Sequence, residues 1–153
     1  MTYLIFALKP EAQAFVDRFK LGKTKSNNFL SIIVSGVGKE NMYQCTQKIL
    51  KRMQDGDKIA NIGICAGNNS YTIGELILDA KELHCEDTPQ YDAKSYKLVD
   101  MESSGFLKAT QDLPNSYIFK IVSDHFEPDT ITKEKTKKLI YDKIDEIMLR
   151  MGI

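Results

Sequence analysis

The sequence predicts an α/β protein, a three-layer αβα sandwich around a mostly parallel or mixed central sheet. Short apolar, β-prone segments alternate with amphipathic helical patterns along the whole chain. The chain has 153 residues, of which 42% are hydrophobic, and this is enough to build one core. Because no internal repeat or linker divides the sequence, we expect residues 1–153 to form a single domain.

Apolar runs rich in β-branched side chains predict the strands, and apolar side chains three or four residues apart predict the helices. Pro10 suits the first turn of a helix, and the glycines of residues 35–38 favour a tight turn. The predicted strands are residues 2–8, 29–34, 59–65, 75–80 and 117–122. The predicted helices are residues 11–20, a segment after residue 38 that ends near residue 55, residues 101–110, and one long helix from about residue 133 to the C-terminus. Residues 66–69 and 81–97 have loop composition, the second with room for a short strand.

Composition excludes several classes of function. Lys plus Arg and Asp plus Glu each number 21, so the formal net charge is zero and nucleic acid is not an expected partner. No apolar run has the length of a membrane span and no secretory signal is present, so we expect no membrane partner and a cytoplasmic location. Three widely spaced cysteines and two histidines predict neither a disulfide framework nor a metal site, and no cofactor is expected.

Polar residues follow the predicted strands where those strands end. Glu11, Glu102 and Asp124 are carboxylates at or just beyond such ends, and the segments 35–38 and 65–68 are small and polar. In an open α/β sheet these ends share one edge, so we expect the three carboxylates to converge there. Each also has a purely structural reading, because acids are common in the first turn of a helix and in caps.

Five stretches stand in order along most of the chain. They are residues 7–11 (Ala-Leu-Lys-Pro-Glu), 35–39 (Ser-Gly-Val-Gly-Lys), 61–67 (Asn-Ile-Gly-Ile-Cys-Ala-Gly), 99–102 (Val-Asp-Met-Glu) and 121–124 (Ile-Val-Ser-Asp). Together they resemble motifs of the purine nucleoside phosphorylase/nucleosidase superfamily, above all its methylthioadenosine/S-adenosylhomocysteine nucleosidases. The resemblance implies a phosphorylase/hydrolase-like fold in reduced form, a homodimer, and hydrolysis of the bond between purine and ribose.

The resemblance also implies roles for single residues. Asp124 matches the acid that protonates the purine, and Glu11 matches the base that activates water. Glu102 matches the carboxylate that accepts hydrogen bonds from the sugar hydroxyls, with Met101 packed on the sugar. The implied substrate-binding set is completed by Ser123, Gly36, Ala66 and Gly67.

The sequence departs from the family at four places. Ile64 stands where the nucleosidases have a serine that helps to hold water, and Lys120 stands where they have an arginine. The phosphorylases bind phosphate through an arginine and a serine where this chain has Asn61 and Ile64, which disfavours phosphorolysis. Residues 81–98 are much shorter than the family's purine-binding segment.

The short segment leaves two interpretations open. The purine pocket is rebuilt from other residues, for which Tyr91, Tyr96 and Phe126 are the nearby aromatic candidates. Alternatively, the chain is a degenerate family member that binds a nucleoside, a nucleobase or a protein partner without turnover.

Overall fold

The computed structural model describes residues 1–93, 95–111 and 113–153, and within these ranges it contains seven strands and five α-helices. The strands are β1 Thr2–Phe6, β2 Leu30–Val34, β3 Lys58–Gly67, β4 Leu76–Ile77, β5 Leu83–Cys85, β6 Leu98–Asp100 and β7 Ser116–Asp124. The helices are α1 Lys9–Arg18, α2 Lys39–Leu50, α3 Ser103–Thr110, α4 Lys133–Tyr141 and α5 Ile144–Arg150.

Strand β3 is the centre of the sheet. It pairs in parallel with β1 and β7, and β1 pairs in parallel with β2. Three short strands run the other way: β4 is antiparallel to β7, β6 is antiparallel to the last residues of β3, and β5 is parallel to β6. The sheet is therefore mixed with a parallel core, which confirms the predicted α/β class.

Helices cover both faces of the sheet because alternate strand residues are apolar on both sides. One face packs against α1, α4 and α5, and the other packs against α2 and α3. The first core includes Leu4, Phe6, Phe15, Ile62, Ile140 and Ile147; the second includes Ile5, Met42, Ile49, Ile59, Phe106 and Ile118. The three-layer arrangement agrees with the prediction.

The first and fourth strands are shorter than predicted, for local reasons. Strand β1 ends at Phe6 instead of residue 8, because the Leu8 N–H donates to the Glu11 side chain at 2.9 Å and the chain turns into α1. The predicted strand at residues 75–80 shrinks to Leu76–Ile77. Beyond it, the Asp79 carboxylate accepts the Lys81 N–H and begins a turn of 3₁₀ helix.

The C-terminal part differs from the prediction in two ways. Strand β7 runs two residues further than expected and takes in Ser123 and Asp124. The single predicted last helix is two helices, because the Lys143 N–H bonds the carbonyl of Ile140, three residues back, and breaks the α-helical ladder. Over the described ranges, no helix is both long and apolar enough to cross a bilayer.

Gly105 lets α3 approach the start of α2 closely. A Cβ at this position would lie 1.9 Å from the carbonyl oxygen of Lys39, far inside a van der Waals contact with backbone. We expect Gly105→Ala to lower the free energy of unfolding by about 2 kcal/mol or more, because the two helices have to separate. Urea unfolding measures this loss.

The exposed neighbour Ser104 provides the matched control for that substitution. Ser104→Ala is expected to stay within about 0.5 kcal/mol of the wild type. Equal stability of Gly105→Ala and Ser104→Ala would show that the contact between the two helices is looser than described.

Candidate active site

A cavity of about 490 Å³ opens where β1, β3 and β7 end. Glu11, Glu102 and Asp124 all line it, so the structure brings together the three carboxylates that the topology predicts to converge. Asp100 is a fourth carboxylate in the lining, one that the sequence did not single out as a site residue. All four side chains belong to buried residues.

Glu11 is held by two backbone amides. The Leu8 N–H donates to its Oε2 at 2.9 Å and the Ile64 N–H to its Oε1 at 3.0 Å. Burial raises the pKa of Glu11 to about 7, although nearby Lys120 and the two amides act in the opposite direction. This carboxyl group therefore exchanges a proton near neutral pH.

Lys120 is a fully buried cation beside three carboxylates. Its Nζ lies 2.9 Å from Asp100 Oδ2 and 3.6 Å from Glu102 Oε2. Gly63 leaves room for this cluster, since a Cβ there would lie 3.0 Å from Glu11 Oε1 and 3.3 Å from Lys120 Nζ. Burial alone would lower the pKa of Lys120, but attraction to Asp100, Glu102 and Glu11 outweighs it and raises the pKa above its ordinary value.

Asp100 and Glu102 are fixed by the start of α3 and by the glycine turn. Asp100 Oδ2 accepts the N–H groups of Glu102 and Ser103 at 3.3 and 2.9 Å, so this carboxylate holds the backbone at the start of α3. Glu102 Oε1 accepts the Gly38 N–H at 3.0 Å. Gly38 has φ +100°, a backbone conformation that favours glycine. The glycine turn therefore helps to fix the Glu102 side chain in the cavity.

Ser123 and Asp124 both line the cavity, although consecutive strand residues normally face opposite sides. An irregularity in the pairing of β3 with β7 explains this, because Cys65 is opposite Val122 while Ala66 is opposite Asp124. Asp124 Oδ2 accepts the Glu127 N–H at 2.8 Å. Ser123 Oγ lies 2.5 Å from Asp124 Oδ1 and 3.1 Å from the Cys65 carbonyl oxygen.

The other predicted substrate-binding residues divide into two groups. Met101 and Ala66 line the cavity, whereas Gly36 and Gly67 are not among the described lining residues. Gly67 is paired with Leu98 inside the sheet. Gly36 takes φ +87° in the turn before α2.

No aromatic side chain is found among the described residues of the lining, so the aromatic candidates do not form the expected purine pocket. Tyr96 stacks on His84 with ring centroids 3.7 Å apart, and Phe126 is buried at φ +61°. Tyr91 is largely exposed and donates a hydrogen bond to Asp129. Thr88, Pro89 and Gln90 line the cavity instead, within the segment that the sequence left as a loop.

Two departures from the family motifs have visible consequences. Ile64 lines the cavity with an apolar side chain, while its backbone N–H holds Glu11. Asn61 is fully buried and donates to the Ile5 carbonyl oxygen at 3.3 Å, away from the lining. In the described part of the chain, no group of three or more His, Cys, Asp or Glu side chains is arranged to hold a metal ion.

The fold of this chain is similar to that of several solved structures. A 5′-methylthioadenosine/S-adenosylhomocysteine nucleosidase from S. pneumoniae, solved with the transition-state inhibitor MT-ImmA, superposes with a TM-score of 0.76 at 12% identity over 98% of this chain and 97% of that one. The Campylobacter jejuni nucleosidase gives 0.75 at 14% identity, covering 99% and 97%. This chain has the nucleosidase fold.

An enzyme with a different activity has the same fold. A futalosine hydrolase from Helicobacter pylori superposes with a TM-score of 0.69 at 13% identity, covering 95% of this chain and 97% of that one. No protein-family model and no curated protein matches the sequence. At these identities the likeness shows the fold alone.

Removing the buried cation is expected to destabilise the protein in a pH-dependent way. Lys120→Met leaves Asp100, Glu102 and Glu11 without their counter-ion, and we expect a loss of about 3–5 kcal/mol at pH 8. Buried carboxyl groups without a counter-ion hold protons more tightly when folded than when unfolded, so the loss shrinks as the pH falls to 5. In the wild type, Lys120 contributes at both pH values, since both lie below about 10.4, the ordinary pKa of lysine.

Lys138 forms an exposed pair with Asp142 and is the matched control. Lys138→Met should cost less than about 1 kcal/mol at either pH. Urea unfolding at pH 5 and pH 8 compares the variants, and a loss for Lys120→Met that is small or independent of pH would contradict the described cluster.

Proposed function

We propose that this chain is a purine nucleosidase, which hydrolyses the bond between a purine and its ribose. The observation that carries the proposal is the convergence of Glu11, Glu102 and Asp124 on one cavity of about 490 Å³. Small-molecule sites in proteins measure roughly 300–1,000 Å³, so a nucleoside fits this volume. The fold shared with nucleosidases and with a futalosine hydrolase supports the same reaction class.

The sugar is assigned to Glu102. One of its oxygens is taken by the Gly38 N–H and the other faces Lys120, so the carboxylate is held in one orientation with lone pairs left for sugar hydroxyls. Cleavage of the glycosidic bond develops positive charge on the sugar. Carboxylates fixed beside that charge before the reaction stabilise the transition state.

The attacking water is assigned to Glu11. With its pKa raised to about 7, the carboxylate is a strong enough base to accept a proton from water and is still partly ionised at neutral pH. The water oxygen forms a bond to the sugar carbon as the bond to the purine nitrogen breaks. The proton of that water passes to Glu11.

The purine is assigned to Asp124, which donates a proton to ring nitrogen N7 as the base leaves. The Ser123 hydroxyl supports both charge states of this acid, although it has only one proton. With Asp124 ionised, Ser123 donates to Asp124 Oδ1; when Asp124 carries the proton that it directs at N7, Ser123 donates to the Cys65 carbonyl oxygen instead.

Water is favoured over phosphate as the attacking group. Among the described residues of the cavity lining, four are carboxylates and none is Lys, Arg or His. A phosphate anion would approach these carboxylates without a partner in the lining. Asn61, which stands where the phosphorylases have arginine, is buried and bonded to backbone.

Binding without turnover is the second candidate function. The observation that favours it is Ile64, whose apolar side chain lines the cavity where the nucleosidases have a hydroxyl. Calorimetry with adenine and methylthioadenosine, together with an assay of adenine release, discriminates the two functions. Binding without release supports the second candidate.

A homodimer, a cytoplasmic location and one domain over residues 1–153 are further parts of the proposal, taken from the resemblance and the composition. Light scattering on the purified protein tests the dimer.

The pH dependence of the reaction tests the assignment of Glu11. Because the ionised form is the active base and its pKa is about 7, kcat/KM is expected to rise as the pH increases to about 7. Glu11→Gln should lower kcat by roughly 10²- to 10⁴-fold and abolish this rise. A wild-type profile that is flat between pH 5 and 8 would remove Glu11 from the role of base.

The acid role of Asp124 is tested with a purine that needs no protonation. Asp124→Asn should lower the rate of adenine release from methylthioadenosine by about 10²-fold or more. The same variant should stay close to the wild-type rate with 7-methylguanosine, whose base already carries a positive charge. Adenine or 7-methylguanine release is followed by chromatography.

Asp145→Asn is the control for Asp124→Asn, because Asp145 is exposed and paired with Arg18 away from the cavity. It should match the wild type on both substrates. Equal losses of rate on both substrates in Asp124→Asn would argue that Asp124 has a structural role instead of donating a proton. No base release from any purine nucleoside by the wild type would refute the nucleosidase proposal.

A further inference from the structure

Residues 87–91 run along the cavity, and we refer to them as the strap. Thr88, Pro89 and Gln90, the three residues in its middle, line the cavity. Gln90 is half-buried, and its Nε2 donates to the Thr88 carbonyl oxygen at 2.9 Å, which folds the strap on itself. The strap therefore supplies part of the cavity wall that the strand ends do not reach.

The strap is fixed at both ends by side chains. Asp87 Oδ1 lies 2.9 Å from Lys39 Nζ at the start of α2. Tyr91 donates from its hydroxyl to Asp129 Oδ1 at 3.0 Å, in the turn Pro128–Thr130. Both contacts lie at the surface, and all three wall residues lie between them.

These two contacts, which we call the anchors of the strap, lie beside the two halves of the site. Lys39 directly follows Gly38, whose N–H holds Glu102. Asp129 lies in the turn that follows Asp124, and Pro128 of the same turn lines the cavity. The strap thus spans the site from the residue assigned to the sugar to the residue assigned to the base.

We propose that the strap is the element that holds and selects the base, with Gln90 as the specificity-determining residue. This inference rests on the proposed function. A purine presents flat apolar faces and a polar edge, and among the described lining residues no aromatic ring is available to cover them. Pro89 offers apolar surface, and the Gln90 amide, whose Nε2 already donates to Thr88, offers its Oε1 as an acceptor for the edge.

A double-mutant cycle on the Tyr91 anchor tests the strap by calorimetry with adenine. Tyr91→Phe and Asp129→Ala are each expected to weaken adenine binding about threefold to tenfold, since either frees one end and binding must then order the segment. The double variant should be no weaker than the singles, because both remove the same hydrogen bond. Both residues are at the surface, and circular dichroism confirms the fold.

Gln90→Ala tests base selection. We expect the ratio of adenine affinity to hypoxanthine affinity to change about threefold or more, because these bases differ at the edge that an amide contacts. KM should rise by a similar factor with kcat nearly unchanged, since Gln90 touches neither the water nor the scissile bond. Lys138→Ala, at an exposed pair away from the cavity, is the control for all four variants.

The outcomes separate this inference from the proposed function. The strap proposal alone would be overturned if the wild type binds adenine and the anchor variants and Gln90→Ala all bind it within twofold of the wild-type affinity, with the wild-type base preference. A wild type that binds neither adenine nor any purine nucleoside would overturn both. Binding without hydrolysis, with the expected losses in the variants, would support the strap and the second candidate function.

Discussion

The buried ammonium group of Lys120 is the interaction on which the site depends. Four carboxylates at one cavity would repel each other and favour neutral forms if no cation stood among them. Lys120 is fully buried, 2.9 Å from Asp100 and 3.6 Å from Glu102, and it also attracts Glu11. Because it belongs to β7, next to the central strand, the charge balance of the site is built into the sheet.

The surrounding fold keeps that cluster in place through close backbone contacts. Gly105 allows α3 to touch the start of α2, and Gly38 at that start donates to Glu102. Gly63 leaves space on β3 in which Glu11 and Lys120 meet. The irregular pairing at the end of β7 turns Ser123 and Asp124 toward the same cavity. Small residues and one strand irregularity therefore shape the carboxylate cluster.

Much of this arrangement was accessible from the sequence, because the positions and ends of most strands follow from apolar patterns. Those patterns predicted the α/β class and the convergence of Glu11, Glu102 and Asp124. The role of Asp100 was missed because, within residues 99–102, only Met101 and Glu102 were assigned a role; its signal was a second acid two residues before Glu102. The strap was missed because its anchors, Asp87 with Lys39 and Tyr91 with Asp129, join residues far apart in sequence and leave no periodic pattern.

A crystal structure with a non-hydrolysable purine nucleoside analogue tests the central claim most directly. The account predicts that the analogue occupies the cavity, with its sugar hydroxyls within hydrogen-bond distance of Glu102 and purine N7 beside Asp124. An analogue bound elsewhere on the chain, or bound in the cavity with its base away from Asp124, would contradict the account.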